Sequence, residues 1–177
     1  MSKNTSALNA GSSKLKTSVR VLAIDPGYER VGIAILEKPK TSKETLVYSE
    51  CFKTAAGDAF ETRLLQIGKE VGRVITAYAP QVLAIETLYF NNNQKTAMRV
   101  AETRGAIIFI GAQYGLRLFE YTPLQIKSAV SGYGRSGKEE IARILPKLID
   151  IPKRVKYDDE YDAIAVGLTC LASEPSI

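Results

Sequence analysis

An apolar, β-branched run from Val19 to Asp25 ends on Asp-Pro-Gly and is followed at once by a second such run, Arg30 to Leu36. Runs of this length and composition read as buried strands, and Pro-Gly stops the first with a turn. Leu46 to Phe52 continues the pattern, and the short connections predict an antiparallel meander. The period then changes. Phe60, Leu64, Leu65, Ile67, Val71, Val74 and Ile75 recur at helical spacing within 58–79, with Asp58 as the expected N-cap and Glu61 three residues later. Pro80 closes that helix.

Beyond it the sequence predicts a short strand, Gln81 to Glu86, and a long helix from Gln94 to Tyr114. A strand from Arg117 to Tyr121 follows, then a short helix opened by Thr122-Pro123. A Gly-rich loop, Ser131 to Gly137, precedes helices at 138–149 and 159–172. Strands reached through crossover helices run parallel to the strand they join. The expected fold is therefore α/β, a mixed five-stranded sheet with three antiparallel strands, then two parallel ones, and helices on both faces. Residues 1–18 have few large apolar side chains and carry Lys3, Lys14 and Lys16, so they read as a disordered basic tail; 19–177 form the domain. No apolar stretch is long enough to cross a membrane, and the tail lacks the apolar centre of a secretory signal.

Ligands of such sheets gather at the carboxyl ends of the parallel strands. Asp25 and Glu86 both lie at such ends. A charge there is costly unless something pairs with it. Asp159 and Asp162 stand three apart on the last helix, just ahead of the apolar run Ala163 to Leu168 that must pack on the core. Each acid also has an ordinary reading: Asp25 as a turn residue, Glu86 as a solvated strand end, and Asp158, Asp159 and Glu160 as complements to a helix N-terminus. Asp158 also lies one turn from Asp162 and competes with Asp159 for a place in the set.

The chain has no histidine, which excludes imidazole bases and His-containing zinc sites. Cys51 and Cys170 are far apart in apolar sequence and read as reduced core residues. A metal here would have oxygen ligands, which points toward Mg²⁺, Mn²⁺ or Ca²⁺, with Mg²⁺ expected and Mn²⁺ as a substitute. Four acids around two such ions suit phosphodiester hydrolysis by an activated water. The net charge is +5, and residues 91–147 alone hold nine Lys or Arg, among them Lys95, Lys127, Arg135 and Lys138, against four Glu. A basic segment between acidic site residues suits an enzyme that grips a nucleic-acid backbone.

Leu22-Ala-Ile-Asp-Pro-Gly27 with Val31-Gly-Ile-Ala34 resembles the opening of the RuvC-type Holliday junction resolvases. The resemblance continues through Ala84-Ile-Glu-Thr-Leu-Tyr-Phe-Asn91, Ala101-Glu-Thr-Arg-Gly-Ala106, Gln125-Ile-Lys127, Gly132-Tyr-Gly134 with Lys138, and Asp159-Glu-Tyr-Asp-Ala-Ile-Ala165. It implies an RNase H-like fold, a homodimer, and symmetric nicking of four-way DNA junctions that leaves 5′-phosphate ends. It implies action in recombination and repair, in the cytoplasm and beside a branch-migration motor. Asp25, Glu86, Asp159 and Asp162 match the family's acidic positions, Lys127 and Lys138 its basic positions facing DNA, and Tyr89 an aromatic that stacks at the junction. Two other readings remain: a related nuclease that processes RNA, and a protein that holds junctions without cutting. An actin-like ATPase needs two such domains, more than 177 residues supply.

Overall fold

The computed structural model describes residues 18–39, 42–88, 94–134, 136–152 and 154–174, with backbone alone at 94 and 95. In chain order the elements are β1 (Ser18–Asp25), β2 (Arg30–Pro39), β3 (Thr45–Lys53), α1 (Phe60–Tyr78), β4 (Val82–Glu86), α2 (Gln94–Gln113), β5 (Arg117–Tyr121), α3 (Pro123–Ser131), α4 (Lys138–Leu148) and α5 (Asp158–Ser173). They form one five-stranded sheet in the order β3-β2-β1-β4-β5. The β1–β2 and β2–β3 pairs are antiparallel, and β1–β4 and β4–β5 are parallel. This is the expected mixed sheet. β1 starts at Ser18, one residue ahead of the expected boundary.

Period-two alternation sends neighbouring side chains to opposite faces. On one face, Leu22 and Ile24 of β1 and Leu83 and Ile85 of β4 pack with Ile67, Val71 and Val74 of α1 and Ile107 of α2. On the other, Val21, Ala23, Val82 and Ala84 pack with Ile126 of α3, Leu145 of α4 and the apolar run of α5. The same alternation puts Asp25 and Glu86, the last residues of β1 and β4, on the α5 face. Ile24 pairs with Ile85, so the two acids follow side by side on adjacent strands.

Two helix starts show how caps are chosen. α3 has Pro123 in its first turn and a reciprocal capping box. The Thr122 hydroxyl accepts from the Gln125 N–H at 3.2 Å, and the Gln125 side chain accepts from the Thr122 N–H at 2.8 Å. At α1 the expected cap fails. The residue ahead of the helix is Ala59, without a side-chain cap, while the Asp58 carboxylate accepts from Gln66 Nε2 at 2.8 Å. A side-chain partner further along α1 has taken the acceptor. Among the described residues no helix is long and apolar enough to cross a membrane.

Candidate active site

The turn after β1 is tight. A Cβ on Gly27 would lie 2.2 Å from the Arg30 carbonyl oxygen, so only glycine lets β2 return directly alongside β1. That return sets Gly32 opposite Asp25. A Cβ on Gly32 would lie 2.0 Å from the Asp159 carbonyl oxygen. The bare strand thus lets the first turn of α5 settle on β2 beside Asp25. Glu160 anchors the same turn from within: its buried carboxylate accepts from Ser49 Oγ at 2.6 Å and from the Lys156 N–H at 3.2 Å.

Asp25, Glu86 and Asp162 line one cavity of about 320 Å³, together with Lys127 of α3 and Lys138 of α4. Burial pushes the Asp25 carboxyl up to about 8, helped by the charges of Asp162, Glu86 and Asp159, while Lys138 opposes the rise. Burial also pushes Glu86 up to about 7, with Asp162 adding to it and Lys138 and Lys127 opposing. Arg104 fixes the end of β4, its Nε donating to the Glu86 carbonyl at 3.0 Å. Lys138 Nζ lies 2.8 Å from Asp162 Oδ2, a contact that raises the lysine's pKa.

Asp159 sits to one side of the cavity. Its carboxylate pairs with the Arg30 guanidinium and lies 3.5 Å from Cys51 Sγ. Asp159 rather than Asp158 belongs with the other acids electrostatically. The Asp159 charge reaches Asp25, whereas exposed Asp158 is felt at Lys138. With Asp162 turned to Lys138 and Asp159 to Arg30, no three acids converge on one point among the described residues. The donors nevertheless suit a hard divalent ion: all are carboxylate oxygens, and burial with nearby like charge pushes Asp25 up to about 8 and Glu86 up to about 7, a cost that a cation relieves.

Of the other predicted site residues, Tyr89 and Arg135 lie outside the described residues, and Lys95 is placed only as backbone near the start of α2. Cys170 is a buried core residue as expected, but Cys51 lies against a charged pair rather than in apolar surroundings. Arg30, Gly32, Arg104 and Glu160 carry the site without having been foreseen. Gly32 left a signal of its own, since a glycine inside a strand marks close backbone approach, and Arg104 lies within the family-like segment Ala101 to Ala106.

Residues 21–170 match the family described as crossover junction endodeoxyribonuclease RuvC. The relative of that description from Caldicellulosiruptor saccharolyticus is 37% identical over 159 residues, covering 90% of this chain and 96% of that one. The relative from Moorella thermoacetica is 39% identical over 153 residues, covering 86% and 90%. Among solved structures, T. thermophilus RuvC in complex with Holliday junction substrate superposes with a TM-score of 0.80 at 26% identity, over 86% of this chain and 93% of that one. The yeast mitochondrial Holliday junction resolvase shares the fold, with a TM-score of 0.66 at 13% identity over 85% and 77%. With β2 to β5, most of β1 and α5, and all four acidic positions inside the matched span, this chain belongs to the RuvC family of crossover junction endodeoxyribonucleases.

Proposed function

We propose that this chain resolves four-way DNA junctions in recombination and repair. It hydrolyses one phosphodiester in each of two opposed strands and leaves 5′-phosphate ends. The observation that carries the reading is the cavity in which Asp25, Glu86 and Asp162 meet Lys127 and Lys138. Asp25, Glu86, Asp162 and, from the side, Asp159 would hold two Mg²⁺ ions, for which Mn²⁺ substitutes. Such ions lower the pKa of the attacking water and stabilise the leaving oxygen.

The protein's own part is to place charge. Gly32 and Glu160 set the first turn of α5 so that Asp159 and Asp162 reach the ends of β1 and β4. Lys138 and Lys127 lower the cost of ionising Glu86 and face the side from which a phosphate would enter. Lys95, Arg135 and Tyr89 extend this contact to the backbone and bases around the crossover.

Symmetric cutting calls for two sites, and a homodimer supplies them. The α1–α2 face supports this reading. Leu65, Phe109 and Tyr114 are exposed there, around a groove of about 850 Å³. It lies on the opposite side of the sheet from the acids, so pairing through it leaves both sites open. Cytoplasmic location and partnership with a branch-migration motor accompany the DNA substrate and rest on family membership alone.

The test is a synthetic four-way junction with Mg²⁺. Paired nicks at symmetric positions are expected, with linear duplex largely uncut. Equal cutting of duplex, unpaired nicks, or cleavage of RNA in place of the junction would refute the proposal, and binding without cutting would make the chain a junction holder.

A further inference from the structure

Lys127 and Lys138 flank the acids on the side of α3 and α4. A second set of cations stands on the other side. Arg30 opens β2 and Lys53 closes β3, and the two face each other across the ladder. Like charges placed directly opposite destabilise a sheet. Here both lean on one aromatic ring: Lys53 Nζ is 3.9 Å from the Tyr157 ring centroid, and the Arg30 guanidinium carbon is 5.5 Å from it. Tyr157 is the residue just ahead of α5. Arg30 has Asp159 as its counter-ion, whereas Lys53 has no carboxylate partner among the described residues. Lys53 and Tyr157 are both exposed.

Sheet order turns this into a line of charge. Across the end of the sheet run Lys53 on β3, Arg30 on β2, Asp25 on β1 and Glu86 on β4, with Lys127 of α3 and Lys138 of α4 lining the cavity of the two acids. The acids are thus bracketed by cations on both sides. The geometry points to Lys53, seated on Tyr157 beside Arg30, as a second backbone grip that binds a phosphate of the cut strand on the far side of the carboxylates from Lys127 and Lys138. The grip deepens the junction-cutting reading and rests on it. Two inter-strand spacings separate β3 from β1, about 10 Å. Successive phosphates of a strand lie farther apart than the roughly 3.4 Å axial rise per nucleotide, so the bound phosphate lies one or two nucleotides from the one that is cut.

The test is junction binding by the full chain in EDTA, measured across a NaCl series. For Lys53→Gln the log–log salt slope is expected to fall by about 0.9, so wild type loses about threefold more affinity than the variant between 50 and 200 mM salt. Tyr157→Leu, which keeps apolar bulk but removes the ring, should weaken binding in the same direction. Lys43→Gln removes an equal exposed charge at the opposite end of β3 and should leave the slope unchanged. A neutral methylphosphonate one or two nucleotides from the cut should erase the difference between wild type and Lys53→Gln. A wild-type slope in Lys53→Gln, an equal fall in Lys43→Gln, or additive effects of the methylphosphonate at every position would overturn the grip. Wild type that prefers the junction while Lys53→Gln matches it sinks the grip alone; wild type without junction preference sinks the junction-cutting reading as well.

Discussion

Asp25→Asn should stabilise the metal-free protein at alkaline pH while abolishing cleavage. In the native protein the Asp25 carboxyl keeps its proton up to about 8, whereas an unfolded chain loses it near 3.8. Between those values the unfolded state binds fewer protons, so stability falls as pH rises and levels off above about 8. The whole interval corresponds to about 6 kcal/mol. Asp25 opens onto a cavity and keeps some contact with water, so about half of this, roughly 3 kcal/mol, is expected. Asparagine has nearly the same shape and no proton to lose. Urea unfolding in EDTA should give similar midpoints for the two proteins at pH 5, with Asn higher by about 1–2 M at pH 8.5. Mg²⁺ at pH 8.5 should restore wild type more than the variant. Parallel stability curves from pH 5 to 8.5 would show that the carboxyl is not held protonated by its surroundings, and the case for a cation site would lose its electrostatic basis.

Gly32→Ala forces a methyl into the Asp159 carbonyl and lifts the first turn of α5. A loss of about 1–3 kcal/mol in chemical unfolding and of most junction cleavage is expected. Lys138→Met removes the cation that opposes the rise at both Asp25 and Glu86. Both acids then ionise at higher pH, so the acidic limb of the cleavage profile should move to the alkaline side, which a pH series of single-turnover rates reads directly. Phe109→Glu places a charge on the exposed apolar face between α1 and α2 and should convert a dimer to monomers in analytical ultracentrifugation, with paired nicks becoming independent ones.

The sheet was legible because its pattern is strongly periodic. The three strand runs and the later apolar tetrad Val82 to Ile85 allow few arrangements, and alternation carries Asp25 and Glu86 to one face. The spacing of Asp159 and Asp162 likewise fixes a common side of α5, but not what each acid meets. Asp162 turns into the cavity toward Lys138, and Asp159 turns over β2 toward Arg30. Arg30 and Asp159 are 129 residues apart, and no local rule joins them. The cap at Asp58 failed for the same kind of reason, since Gln66 competes for its carboxylate once α1 is formed. Glu160 looked like one more acid at a helix start. Its burial against Ser49 depends on β3 packing under α5, which no spacing reveals.

The carboxylates are drawn from the first strand of the domain and its last helix, with β4 between. During synthesis β1 and β2 emerge early and pair locally, but α5 leaves the ribosome only after every other element. Until it docks on Gly32, Asp159 and Asp162 are absent from the ends of β1 and β4, and an incomplete chain holds only half of the acids. The same distance makes completion of the acid set depend on contacts that are long-range in sequence, which form more slowly than local ones.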